Sequence, residues 1–388
     1  MHLRARIADD TSGRALLRRP WSMLATLAVV VTLGGSAAGQ SSKAPPAFAA
    51  GPVTVSCVTS RLASLGGGHG NATAVSSAGV AVGIADNAAL RSRPVLWRNG
   101  RVTRIRTNLV GAVPVAVNKS GVVVGTAFDP RSQLPVGWYW NGERVGLLPT
   151  DLGDAAFPSA IDDVGRVVGA VASDEDHADG NVVDDVERAA YWPSVFSLPR
   201  VLGPLAGDEG AHAFAIRGQK IGGVSSGDTF TPVVWDLAGR PKALRSNGDG
   251  AGAVHAFTAA GQPAGEAVLP RLGLRAVQWD RTGRPHVLPG VAAGAESTVT
   301  GAAADLLTGT RRERSAGSGG RQTALVWRAS RTLVLQPLQT LRPARGPVLR
   351  GVGAVGTAAS MTTKGTVIVG YSTSADGSRF PTAWRCGS

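Results

Sequence analysis

The residues with most chemistry to offer stand in one acidic stretch, DEDHADGNVVDDVE at 174–187. Seven carboxylates in fourteen residues cannot pack without counter-charge. Ca²⁺ supplies it, because Asp and Asn oxygens at alternating positions around a turn glycine are the parts of an oxygen cage. Asp174, Asp176, Asp179, Asn181 and Asp184 are the candidate ligands. The spacing departs from the EF-hand pattern: Asp179-Gly180 fit its fifth and sixth positions, but His177 falls at the third and Val186 at the twelfth. A solvated acidic loop is the competing reading. Two shorter motifs carry less. GVSSG at 223–227 matches a nucleophile elbow, with His212 and Asp228 near in sequence, yet that motif works at a strand-to-helix turn and here it ends a strand. GVGAVG at 351–356 matches a dinucleotide fingerprint without a βαβ unit around it.

The elements that hold these residues are set by an internal repeat. Trp97, Trp140, Trp192, Trp235, Trp279, Trp327 and Trp384 follow one another at intervals of 43, 52, 43, 44, 48 and 57 residues, and only Trp21 and Trp138 fall outside the series. A glycine-bracketed run precedes each: GVAVG at 79–83, GVVVG at 121–125, GRVVG at 165–169, GQKIG at 218–222, GQPAG at 261–265, a degraded DLLTG at 305–309 and GTVIVG at 365–370. Each unit reads as four strands: a short apolar strand, a polar turn, the glycine-bracketed strand, a strand ending at the Trp, then a hairpin and a last strand. Asn99-Gly100 and Asn141-Gly142 supply tight hairpin turns. Runs such as Val122-Val123-Val124 are apolar on both faces, as befits a strand in a small sheet packed between two others. Pro263 removes a ladder donor and points to a bulge in the fifth unit.

Seven such units of about 43 residues predict an all-β fold, a seven-bladed β-propeller. The last unit stops at Trp384 without an outer strand, while PVTVSCVT at 52–59 is a strand left over before the first. The N-terminal strand is therefore expected to complete the C-terminal blade. The two cysteines of the chain, Cys57 and Cys386, lie one in each of these segments, so a disulfide staples the ring. Three stretches break the period: the acidic 174–187, a basic one at 310–322 with Arg311, Arg312, Arg314 and Arg321, and 338–355. In a four-stranded blade these connections all emerge on one face, which makes that face the candidate binding surface.

The repeats resemble the bacterial extracellular repeats called the HAF family. The likeness rests on 118–125 with Trp140, 162–169 with Trp192 and 79–83 with Trp97, and it covers the chain from Thr59 onward. The family's name-giving His-Ala-Phe stands just before the Trp, whereas here His212-Ala213-Phe214 and His255-Ala256-Phe257 lie in first strands. The resemblance implies export and a propeller-like fold; it carries no activity.

The first fifty residues differ from the rest. Arg4, Arg6, Arg14, Arg18 and Arg19 precede an apolar run at 23–33 and then small residues, the order of a secretory signal, with cleavage after Ala38 or near Ala49-Ala50. Residues 1–50 thus read as signal and linker, and 51–388 as the propeller. The run has eleven residues, about half of a membrane span, and no longer one follows, so no span is expected in the mature protein. Of the formal charge of +13, six cations against two acids put +4 in residues 1–50 and leave +9 after them. That balance favours an anionic polymer. Nucleic acid is not expected, because Arg outnumbers Lys seven to one and the arginines follow composition, not a patch. The chain reads as a secreted monomer that binds an extracellular ligand, whether a glycan, a cell-wall polymer or a protein. The alternative is an extracellular hydrolase or lyase with its site at the channel mouth. A His with carboxylates in hydrogen-bond reach would favour the enzyme, and an aromatic or hydroxyl-lined groove the binder. If the acidic stretch holds Ca²⁺, EDTA lowers the melting temperature and excess Ca²⁺ restores it; no shift with either leaves the solvated loop.

Overall fold

The computed structural model describes residues 56–151, 155–172, 187–246, 251–313, 321–329, 331–362 and 365–387. The expected signal at 1–50 and all five candidate Ca²⁺ ligands lie outside them. Among the described residues there is no helix. The strands form seven four-stranded antiparallel sheets and one two-stranded ribbon. The first strands of the sheets are Gly66–Val75, Val110–Val117, Ala155–Ile161, Gly210–Arg217, Gly252–Phe257, Glu296–Ala303 and Gly353–Thr362. Each touches the first strand of both neighbours, and the seventh touches the first, so they form a closed inner ring. This is the seven-bladed β-propeller. Its seventh blade is completed from the other end of the chain: Cys57–Arg61 pairs with Arg379–Cys386, Cys57 opposite Cys386, and the two are joined by a disulfide.

One contact recurs between blades. The Trp that ends the third strand is buried against the preceding blade, and its indole N–H donates to a carbonyl in the segment linking the two. The pairs are Trp97 to Ala63 (2.6 Å), Trp192 to Pro149 (2.8 Å), Trp235 to Gly203 (2.7 Å), Trp279 to Arg245 (2.9 Å), Trp327 to Pro289 (2.9 Å) and Trp384 to Gln336 (2.7 Å). The residue before each acceptor is a leucine, Leu62, Leu148, Leu202, Leu244, Leu288 or Leu335, whose own N–H bonds back to the third strand of its blade. Burying one indole body contributes about 5 kcal/mol as an upper figure. Blade two departs from the pattern. Trp140 occupies the series position in the register, opposite Val123, but is only half-buried. Trp138, which the spacing leaves out, fills the gap instead, fully buried, with its indole donating to Thr126 within the same blade.

A second feature is common to all seven blades. Each first strand carries a one-residue bulge, at Thr73, Val115, Ser159, Phe214, His255, Thr300 and Thr357. Across from the bulge stands a glycine of the second strand: Gly83, Gly125, Gly169, Gly223, Gly265, Gly309 or Gly370. A Cβ there would lie 1.9 to 2.3 Å from a first-strand carbonyl oxygen, which only glycine avoids. In blade four this place belongs to Gly223, not to Gly222 as the motif spacing suggests. The bulge expected at Pro263 is not there: Pro263 pairs in register opposite Phe257, and blade five is bulged only at His255 of its first strand, as every blade is. Pro263 merely heads the second strand, a position that tolerates it.

The stretch 338–355 adds the ribbon of Thr340–Leu341 and Leu349–Arg350, and Ala344 N donates to Gly67 O (3.0 Å) at the start of blade one. We expect Cys57→Ser to cost about 2 to 4 kcal/mol, read as a melting temperature several degrees lower. A thiol titration of the native protein that counts two free thiols would refute the closure.

Candidate functional site

In five blades the bulge residue reaches toward the first strand of the next blade, and in three of them its hydroxyl acts as a tie. Thr73 Oγ1 donates to Pro114 O, Thr300 Oγ1 to Gly356 O and Thr357 Oγ1 to Ala72 O, each at 2.7 Å. The acceptor is in each case the carbonyl just before the neighbour's bulge. Ser159 stands in the same place in blade three, but its hydroxyl meets an imidazole: Oγ lies 2.9 Å from His212 Nε2. On the other side of the ring His212 Nδ1 lies 2.7 Å from Glu187 Oε2.

The local structure explains the alignment. Glu187 immediately precedes the third strand of blade three, Arg188–Trp192, and its carbonyl accepts from Ala211 N (2.8 Å), which fixes it beside His212 on the first strand of blade four. The imidazole is 17 % exposed and the carboxylate 35 %. Burial raises the Glu187 carboxyl, but the hydrogen bond and charge of His212 outweigh it and hold the group below the usual range. An ionised carboxylate only accepts, so Nδ1 carries the proton that faces Glu187, and Nε2 is the nitrogen left to face the Ser159 hydroxyl.

The polar sector continues into blade five. Phe214 stacks on His212 (centroids 4.5 Å, planes 18° apart) and lies 4.9 Å from His255. His255 Nε2 stands 3.5 Å from Glu266 Oε1, and Glu266 is 5 % exposed. Neither His255 Nε2 nor Glu266 Oε2 has a hydrogen-bond partner among the described residues. The two His-Ala-Phe tripeptides sit out of phase, since Phe214 and His255 are the bulge residues of their blades; this brings the rings together. A serine, two imidazoles, two carboxylates and an aromatic face thus line the inner ring from blade three to blade five, while blades six, seven and one carry only threonine ties at the bulge.

Other expected residues are placed elsewhere. Ser225 of the GVSSG motif is fully buried and accepts from Leu205 N (2.9 Å), and the carboxylate beside His212 is Glu187, not Asp228. The dinucleotide-like 351–356 runs into the first strand of blade seven with no helix after it. In the basic stretch Arg311 pairs with Glu313 (3.1 Å). Among the described residues no group of three or more His, Cys, Asp and Glu side chains could hold a metal ion. Ser159 and Glu266 escape the sequence reading, and Glu187 enters it only as the last carboxylate of the acidic stretch. Their one signal was the pair of His-Ala-Phe tripeptides on adjacent first strands.

No protein-family model matches the chain, and no curated protein matches it. Solved structures resemble it in fold. Puromycin hydrolase is 13 % identical with a TM-score of 0.54, over 85 % of this chain and 56 % of that one. The β-propeller domain of the Trilobed protease from Pyrococcus furiosus, described as having an open velcro topology, is 8 % identical with a TM-score of 0.53, over 82 % of this chain and 94 % of that one. The Pyrococcus horikoshii acylaminoacyl peptidase is 10 % identical with a TM-score of 0.50, over 82 % and 52 %. This chain spans about half the length of the puromycin hydrolase and the acylaminoacyl peptidase. The likeness is one of propeller fold.

Because Glu187 is held low by His212, the stability their pairing contributes is present above the ordinary carboxylate range and is lost as the pH falls through the depressed value. Wild type should therefore melt at most about 2 °C above Glu187→Gln at neutral pH, the group being a third exposed. The gap should close below about pH 4; melting curves that stay parallel down to acid pH would contradict the pairing.

Proposed function

We propose that the protein is an exported enzyme, a hydrolase or lyase, whose site is the polar sector of the inner ring between blades three and five. The observation that carries this reading is the Glu187–His212 pair. A carboxylate that fixes one ring nitrogen as donor leaves the other free to accept a proton, the arrangement of a general base. Nothing in the fold needs an imidazole at this position, since the corresponding ties in blades six, seven and one are made by a hydroxyl and a carbonyl. Ser159 and the ring of Phe214 stand beside the base, so the ligand-binding expectation and the enzyme reading share one place. Export is part of the proposal. It is supported by the order of basic, apolar and small residues in 1–50 and by the disulfide, a cross-link that oxidising compartments preserve. An anionic or glycan polymer is the class of partner that the basic balance of the chain favours.

The test is turnover of a panel of polysaccharides and ester-substituted glycans by wild type, His212→Ala and Glu187→Gln. The expected result is a wild-type turnover that falls about 100-fold or more in His212→Ala and falls less in Glu187→Gln. If the protein binds a polymer of the panel and His212→Ala binds it equally well, with no His212-dependent turnover of any member, the chain is a binding module and not an enzyme.

A further inference from the structure

We infer that Ser159 is a nucleophile and that the site cleaves carboxylic esters; this rests on the enzyme reading and names its chemistry. Three observations on the ring carry it. Ser159, His212 and Glu187 form an unbroken line, Oγ to Nε2 at 2.9 Å and Nδ1 to Oε2 at 2.7 Å, in the order that activates a hydroxyl: nucleophile, base, and the acid that orients the base. Ser159 is also the bulge residue that puts a hydroxyl on an imidazole, where Thr73, Thr300 and Thr357 put theirs on backbone carbonyls. Finally, the three residues come from two blades and from both edges of their joint, so the alignment is a product of the tertiary fold and not of neighbouring positions in the chain. Phe214 lies flat on His212 and gives the site an apolar edge.

The chemistry balances with water as the co-reactant. Ser159 Oγ bonds to the ester carbonyl carbon as its proton passes to His212 Nε2. The carbon–oxygen bond to the alcohol then breaks, and the departing oxygen takes the proton from Nε2. Water next gives a proton to Nε2 while its oxygen bonds to the acyl carbon, and Ser159 Oγ leaves and recovers that proton. Glu187 stays ionised throughout and stabilises the imidazolium. The net change is ester plus water to acid plus alcohol.

The experiment uses purified full-length protein, 4-nitrophenyl acetate as substrate and a fluorophosphonate as the covalent probe. Wild type should gain the mass of one phosphonyl group, mapped to Ser159 by peptide sequencing, and should hydrolyse the ester. Ser159→Ala and His212→Ala should each lose the adduct and about 100-fold or more of the rate. Ser159→Thr guards against misfolding, because threonine occupies the same bulge in three other blades; it should melt like wild type and lose most of the rate. A wild-type protein that takes no adduct at Ser159, or a folded Ser159→Ala that keeps its ester turnover, overturns the inference. If turnover survives in Ser159→Ala yet vanishes in His212→Ala, His212 activates water directly, and the enzyme reading stands while the serine nucleophile falls. If turnover depends on neither residue, both fall.

Discussion

A four-stranded sheet of short strands has too little buried surface to be stable alone, so everything in this molecule depends on how one sheet is fastened to the next. The fastening is the indole of the third strand. It lays an apolar body over the preceding blade and hands its single polar hydrogen to a carbonyl held in place by a buried leucine. Because donor and acceptor come from successive repeats in six of the seven blades, those blades are not complete without their predecessors; in blade two the buried indole packs across the joint but bonds within its own blade. The same logic reaches around the ring, where Trp384 donates to Gln336 within the linking segment and Cys57–Arg61 closes the last sheet.

The bulges impose a second constraint, and the candidate site grows out of it. A glycine on the second strand lets the first strand bend inward, and the bent residue reaches across the joint to the next blade. Where that residue is threonine the joint is simply tied. Between blades three and four the same geometry places a serine, an imidazole and a carboxylate in line, and between blades four and five it stacks Phe214 with a second imidazole. The site uses the joint that every blade already has, with its carboxylate, Glu187, supplied from the end of the acidic stretch where it enters the third strand.

Much of the fold was legible in the sequence because it is periodic. The tryptophan spacing and the glycine-bracketed runs mark the third and second strands, and the leftover N-terminal strand with its cysteine foretells the closure. What the period hid were its local phase shifts. Trp138 does in blade two what the regular member Trp140 does not, because the side chain two residues earlier on the same face fills the joint first. In blade four Gly223, and not Gly222 that closes the 218–222 run, meets the bulge, since the register across the strands, not the distance to the tryptophan, decides it. The candidate site was less legible still. Ser159, Glu187 and His212 are separated by 28 and 25 residues in the chain, and only the pairing of two blades brings them together. GVSSG, by contrast, has the look of a catalytic motif, yet its first glycine is there for the bulge and its Ser225 is sealed in the sheet.

The glycine opposite each bulge has a wider consequence. Since that residue alone absorbs the steric demand of the bend, the side chain at the bend is released from it, and Thr, Val, Ser, Phe and His all occupy the position in this one molecule. Each blade thus offers one site where composition can drift without disturbing the frame around it. New reactivity can be assembled there by single exchanges, one sector at a time, much as a printing forme accepts different type in a fixed set of slots.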